Sequence, residues 1–420
     1  MDINKMLKGV DCTCGKHHSC DIEYVYIESG AISHLGELCK DYKSIMLVAD
    51  ENTFAAAGKQ SVEAIGDKKI RAKITFGPEI LIPDEEAIEC VSDSLEGIDL
   101  IVGIGSGVIQ DLCKYVAHKS KLPYMIVATA PSMDGYASTG AAMILKGMKE
   151  TVPATLPKAI IADTGVLKNA PMHMIKAGYG DIIGKFSALC DWKLSQAVNG
   201  EYFCQYIYDT TYAMIKKTLS TAKGLLERKE ESIKALCEAL ITVGIMMSFA
   251  TTSRPASGSE HHLSHFFEIT GILNGEPYLA HGIDVAYSTF ITAQIREKIL
   301  NGKFPKKQFC LKRKAYEEKM AELYTKISDS CIALQDKVGS YKKDRVSIYI
   351  EKEEEIRKIL SEMPSAEEIK KMLAYAKLDM RSFYTVYTEE KIKNAVCYAK
   401  DLKDRYTVLW MNYDLFGVSK

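Results

Sequence analysis

Up to about Ile175 the chain alternates β-rich runs with amphipathic helical runs, and beyond that point the strand signals fade. This switch constrains the fold more than any other feature, because strands alternating with helices imply a parallel sheet with helices on both faces. YVYIESG reads as a strand followed by the helical AISHLGELCKDY, and KSIMLVAD, IRAKITFG, DLIVGIG and PYMIVATA repeat the strand signal. PDEEAIECVSDSLEG is an acidic-started helix ended by Gly97, and AAMILKGMKETVPATLPKAIIAD reads as an inserted hairpin followed by a short apolar strand. Farther on, ESIKALCEALITVGIMMSFA, AYEEKMAELYTKISDSCIALQDKV and EEIKKMLAYAKL carry helical periodicity. Tyr316, Met320, Leu323, Tyr324, Ile327 and Cys331 form one apolar stripe, and Ser365 with Glu368 forms a capping box. A chain of 420 residues is too long for one typical core. The expectation is an α/β domain over residues 1–174 and an all-helical domain over residues 175–420, with a Cys/His-rich segment at 1–20.

Composition narrows the function classes. A formal net charge of -1 gives no electrostatic reason for a nucleic-acid partner or a membrane surface. No apolar run reaches membrane-spanning length, and ALITVGIMMSFATT, which comes closest, reads as a buried helix. The first residues lack the apolar stretch of a signal peptide. Most of the 12 cysteines sit singly in apolar segments, which suits reduced thiols in a cytoplasm. The exception is DCTCGKHHSC, where Cys12, Cys14, His17, His18 and Cys20 crowd together. Their spacing is not a standard zinc-finger one, so a metal site and a loose polar segment both stay open.

GIGSGVIQDLCK joins a strand to a helix through Gly103, Gly105 and Gly107. Glycines there leave room for phosphate oxygens against backbone N–H groups, and the helix N-terminus favours their charge. Glycine-rich turns also arise from packing alone, and this spacing is not the usual Rossmann fingerprint. The next strand-to-helix loop, ATAPSMDGYAS, is again small and polar at the sheet edge where ligands bind in open α/β folds. Asp50 ends an earlier strand, where a carboxylate can hold an adenosine ribose or cap a helix.

SRPASGSEHHLSHFFE places three of the nine histidines within five residues. On a helix, His261 and His265 share a face one turn apart and His262 points away. His281 opens the next helical run, and Asp181, after a flexible Gly-Tyr-Gly, is read as beginning a helix. Asp181, His261 and His281 give one carboxylate and two imidazoles with an open fourth position, the composition of a catalytic divalent-metal site. His265 would sit beside it, placed to handle a substrate proton or hydroxyl. Ordinary hydrogen-bonded histidines and an N-capping Asp181 are the competing readings.

Taken together, GIGSG-x3-D-x2-K, TAPSMDGYAS, GYGD-x3-K, SRPASGSEH-x3-H and the later HG resemble the sn-glycerol-1-phosphate dehydrogenase family. That family belongs to the superfamily of iron-containing alcohol dehydrogenases, glycerol dehydrogenase and dehydroquinate synthase. The motifs span roughly Asp50 to His281, with a weaker likeness in SAEEIKKML and DRYTVL. The resemblance implies a dehydroquinate synthase-like architecture with a Rossmann-like nucleotide-binding domain. It implies an oxidoreductase interconverting glycerone phosphate and sn-glycerol 1-phosphate with NAD(P), in a cytoplasmic homodimer of the bacterial type. Carried over by position, Gly105, Gly107, Val108, Ile109, Gln110 and Asp111 would contact the dinucleotide. Thr129, Ala130, Pro131, Ser132 and Ser138 would do the same. Asp134 would touch substrate; Asp181, His261 and His281 would hold one metal ion, zinc or nickel ahead of iron. Asp181 and His265 would also face substrate.

Three positions bear on the branch. Lys185 stands where iron-containing alcohol dehydrogenases carry a second ligand histidine, dehydroquinate synthase has Glu in place of Asp181, and PSMDGYAS favours the glycerol-phosphate branch. Ile104 and Ser106 interrupt a glycine run that is usually richer. A phosphorylated substrate needs a cation, for which Lys185 and Arg254 are the candidates; Lys185 can equally neutralise the Asp181 carboxylate. The alternatives are a glycerol or other polyol dehydrogenase, and a non-enzymatic nucleotide- or metal-binding regulator.

Overall fold

The computed structural model describes residues 2–79, 81–145, 148–310 and 312–418. The chain forms two compact units, Met1–Tyr179 with Lys216–Thr252, and Gly180–Ile215 with Ser253–Lys420. Residues 216–252, helical segments that the sequence reading assigned to the second domain, thus belong to the first.

The first unit is built on six parallel strands. In chain order the strands are β1 (Val10–Asp11), β2 (His17–His18), β3 (Tyr24–Glu28), β4 (Ile45–Asp50), β5 (Ile70–Phe76), β6 (Leu100–Gly105), β7 (Tyr124–Ala128), β8 (Gly140–Leu145), β9 (Met148–Pro153) and β10 (Ala159–Asp163). The main sheet runs β3-β10-β7-β6-β4-β5, with registers such as Leu47 opposite Val102 and Ile101 opposite Tyr124. Burial explains the order. IMLVAD, LIVGIG, YMIVA and AIIAD are near-continuous apolar runs and occupy the four central positions, covered on both faces. YVYIE and IRAKITF alternate, and they form the edges. The expected hairpin is β8–β9, paired from Gly140↔Pro153 to Leu145↔Met148; its tip, residues 146 and 147, lies outside the described residues.

Helix α1 (Gly107–Ser120) follows β6. Helices α2 (Met172–Asn199) and α3 (Gln205–Leu225) run from one unit into the other. Helix α4 (Glu230–Ala250) is longer than its apolar run suggested: by length and composition it could cross a membrane, yet 89% of its most apolar window is buried in protein. Gly244 explains part of that burial, since a Cβ there would lie 2.6 Å from the Asp134 carbonyl oxygen.

The described residues of the second unit contain helices and no strand. Helices α5 (Ser259–Asn274) and α6 (His281–Asn301) pack side by side, and α7 (Val408–Phe416) closes the chain. The stripe from Tyr316 to Cys331 is split between two helices, Arg313–Tyr324 and Ser328–Val338. Thr325, at φ 42°, breaks what periodicity alone reads as one helix, while Tyr316, Met320, Tyr324 and Cys331 still face the core. Ser365 and Glu368 form the reciprocal capping box read from sequence.

Candidate functional site

Asp181 does not begin a helix: it lies ten residues into α2, whose interior includes Gly178, Gly180 and Gly184. The glycines serve close approach. A Cβ on Gly180 would lie 2.3 Å from the Gly282 carbonyl oxygen, and one on Gly184 would lie 2.5 Å from Val285. Bare backbone at these positions lets α2 and α6 meet, which brings the Asp181 carboxylate to the His281 imidazole at the first residue of α6. The helix α5 adds His261 and His265 one turn apart.

Ligand atoms of Asp181, His261 and His281 all lie within 4.8 Å of one another. His261 Nε2 is 3.7 Å from Asp181 Oδ1, and the three imidazoles of His261, His265 and His281 form a triangle with centroids 5.1 to 6.0 Å apart. Glu260 Oε1 sits 2.6 Å from His261 Nδ1. With Nδ1 protonated and this oxygen accepting, Nε2 presents its lone pair on the Asp181 side. Burial pushes the Glu260 carboxyl up to about 8 and holds His261 well below its ordinary range. One carboxylate and two neutral imidazoles, converged and backed by a buried carboxyl, fit a divalent cation. His262 points away as its helical phase requires; it is fully buried, and neither ring nitrogen has a hydrogen-bond partner among the described residues.

The surrounding side chains hold this geometry. Lys185, wholly buried, donates to Asp181 Oδ1 at 2.6 Å and to the Ala256 carbonyl at 3.0 Å, so its contacts are those of a group neutralising the carboxylate. Arg254 is bidentate on Glu201, at 2.7 and 2.5 Å, and donates to the Tyr406 carbonyl; it is committed to structure and is not presented to a ligand. Buried Asp191 accepts from the backbone N–H of Ser259 at 2.6 Å and of Val408 at 2.7 Å, tying the starts of α5 and α7 together. The Tyr387 hydroxyl donates to buried Asp284 and accepts the Leu279 N–H at 3.0 Å, fixing the turn that delivers His281.

Two further cations, Lys403 and Arg405, lie close by at the start of the DRYTVL segment. Arg405 donates to the Ser257 carbonyl and Ser253 hydroxyl. The half-buried Lys403 forms no ion pair among the described residues, and its charge is felt at Glu260, His261 and His262. Burial, with Arg405 adding repulsion, lowers its ammonium to about 7. Sequence reasoning missed Glu260, Asp191, Tyr387 and Lys403. Only the Glu immediately before His261 carries a readable local signal.

In the first unit, a cleft of about 960 Å³ opens at the carboxyl ends of the strands, lined among others by Asn52, Thr53, Ser106, Thr129 and Ala130. Asp50 caps the following turn, accepting from Thr53 N at 2.8 Å in a capping box. Gly103 and Gly105 belong to β6 and serve packing: a Cβ would lie 3.0 Å from Cys113 Sγ or 2.5 Å from Ile109. Gly107 alone is roomy, with nothing nearer than 3.7 Å. Gln110 is turned inward to Tyr124 and Tyr136, and Ile109 is buried, which leaves the backbone as their route to a ligand; Val108 is half-buried. The buried Lys114 lies within hydrogen-bond reach of Asp111, Ser138 and the carbonyls of Gly135 and Gly140, clamping the loop that carries Pro131, Ser132 and Asp134. Gly178 lets α2 press on that loop, since a Cβ would lie 1.9 Å from the Pro131 carbonyl oxygen.

A family model for iron-containing alcohol dehydrogenases matches residues 26–171. The glycerol-1-phosphate dehydrogenase, NAD(P)+, of Geobacillus thermodenitrificans is 32% identical over 295 residues, 68% of this chain and 73% of its own length. The Bacillus licheniformis protein of the same name is 29% identical over 412 residues, 95% of this chain and 90% of its own. Among solved structures, an alcohol dehydrogenase from Oenococcus oeni shares the fold at TM-score 0.61 and 14% identity, covering 92% of this chain and 94% of its own. An iron-containing alcohol dehydrogenase from Thermococcus thioreducens does so at TM-score 0.60 and 13% identity, covering 91% of each.

Proposed function

The chain belongs to the glycerol-1-phosphate dehydrogenase family, and from that premise we propose that it reduces glycerone phosphate to sn-glycerol 1-phosphate. The observation that carries the reading is the convergence of Asp181, His261 and His281 within 4.8 Å, with His265 alongside, in a chain of this ancestry. A divalent cation held by those three side chains, zinc or nickel ahead of iron, would supply Lewis-acid polarisation of the C2 carbonyl. NAD(P)H supplies the hydride.

The chain's own residues do the rest. Gly107, the first residue of α1, receives the dinucleotide's phosphates, and Thr129 and Ala130 line the nucleotide cleft. Lys185 holds the Asp181 carboxylate in place by direct contact. His265 passes a proton to the C2 oxygen as hydride arrives at carbon. Asp134 orients substrate hydroxyls. Lys403, with Arg405 beside it, takes the substrate phosphate, a role Arg254 is not free to fill. The same reading includes a homodimer in the cytoplasm.

The test is the initial rate of NADH or NADPH oxidation with glycerone phosphate and with glycerone, after reconstitution with zinc, nickel or iron. Glycerone phosphate should be preferred by orders of magnitude. Equal rates with glycerone would make the chain a polyol dehydrogenase, and no oxidation with either would make it a binding protein.

A further inference from the structure

The N-terminal hairpin has no core to hold it. Between Leu7 and Asp21 only His18 is buried, and β1 and β2 pair at just two positions, Val10↔His18 and Asp11↔His17. A two-stranded ribbon of that size with one buried side chain is not stable by hydrogen bonding alone.

Three donors nevertheless meet inside it. The sulfurs of Cys12 and Cys14 and a ring nitrogen of His18 lie within 4.8 Å of one another, with Cys14 Sγ 3.3 Å from His18 Nε2. Tetrahedral zinc, with bonds of about 2.3 Å to sulfur and 2.0 Å to nitrogen, would set that separation near 3.5 Å. His18 is also oriented as a ligand. Its Nδ1 is 3.1 Å from the Phe249 carbonyl oxygen, which can only accept, so Nδ1 carries the proton and the Nε2 lone pair points at the sulfur. The imidazole stacks on the Phe249 ring at 5.5 Å and 10°, fixing its plane. Gly15, at φ 86°, makes the tight return between Cys14 and His18 and donates its N–H to the Cys12 carbonyl at 3.0 Å. His17 turns outward to Asp11 at 2.7 Å, and Cys20 is not part of the converged group.

We propose that Cys12, Cys14 and His18 bind a structural zinc-class cation that staples the N-terminal hairpin, separate from the cation of the Asp181 group. Two thiolates and an imidazole select a soft or borderline metal over magnesium or calcium, and binding releases the two thiol protons to solvent. A lone S–H···N bond would need only Cys14 and His18; the third donor at the same point is what the cation accounts for.

The test uses the full chain purified under reducing conditions. Wild type reconstituted with zinc should hold two equivalents per chain, and a His261→Ala/His281→Ala variant should keep one. Adding Cys12→Ser and Cys14→Ser to that variant should remove the remaining equivalent. X-ray absorption on the His261→Ala/His281→Ala protein should show thiolate sulfur neighbours and an imidazole. Cobalt in its place should give thiolate charge-transfer bands, which keeps the test alive if the fourfold variant does not fold. Cys14→Ser alone should leave NAD(P)H-linked turnover within twofold while lowering the melting temperature. The proposal is overturned if the His261→Ala/His281→Ala protein takes up no zinc, if its zinc shows no sulfur neighbours, or if Cys12 and Cys14 are joined as a disulfide that refuses metal. None of these outcomes depends on the chain being a glycerol-phosphate enzyme.

Discussion

Glu260 backs His261 from the adjacent position in sequence, its Oε1 2.6 Å from Nδ1 with both side chains out of solvent. A carboxyl placed there fixes the imidazole's tautomer and raises its basicity toward a cation. Glu260→Ala should therefore weaken zinc binding by on the order of 10- to 100-fold. Competition against a chromogenic chelator measures this, and an unchanged affinity would remove Glu260 from the site.

Removing a donor has a larger effect. His261→Ala or Asp181→Asn should abolish NAD(P)H oxidation and cut bound metal at the Asp181 group, and chelation of wild type should do the same reversibly. Near-normal turnover by the thoroughly chelated enzyme would sink the Lewis-acid reading.

Glycines at different places should respond differently to one methyl group. At Gly180 a Cβ meets backbone, 2.3 Å from the Gly282 carbonyl oxygen, so Gly180→Ala should destabilise by about 1–3 kcal/mol or more and loosen metal binding. At Gly107 the nearest atom is 3.7 Å away, so Gly107→Ala should leave the melting temperature unchanged and raise KM for NAD(P)H. Parallel thermal melts and cofactor titrations separate the two.

Tyr387→Phe removes the donor to buried Asp284 and the acceptor of the Leu279 N–H. Leaving those groups unsatisfied should cost about 1–3 kcal/mol. The urea midpoint should fall at constant slope, and metal affinity should fall with it because the turn before His281 is released.

Lys403 gives the pH dependence. Its ammonium titrates at about 7 in the folded chain, so the charged form that receives a phosphate is present below that pH and lost above it. kcat/KM for glycerone phosphate should be level below pH 7 and fall about tenfold per unit above it, and Lys403→Met should be low and flat. Stability should move the other way. Between 7 and the ordinary 10.5 the unfolded chain binds more protons than the folded one, so this group makes unfolding harder as pH rises.

Much of this was legible before any coordinates. The four apolar runs became the central strands because burial on both faces demands continuous hydrophobicity, and the alternating runs became the edges. His261 and His265 share a face because helical phase allows nothing else. What could not be read was the reason for the glycines. Gly180 next to Asp181 reads locally as flexibility, yet its cause is a backbone more than a hundred residues away. Gly103 and Gly105 also serve packing, their Cβ positions filled by the side chains of Cys113 and Ile109 respectively, which a glycine-rich turn does not distinguish from a phosphate loop. Asp191, Tyr387 and Lys403 escaped notice because their partners are distant in sequence, and nothing local marks such a residue.

The carboxylate of Asp191 joins the first residue of the histidine helix to Val408, the first residue of the last one. The start of the histidine helix is thereby anchored through one buried side chain to a segment about 150 residues downstream, so a change confined to the last helix is transmitted to His261 without touching it.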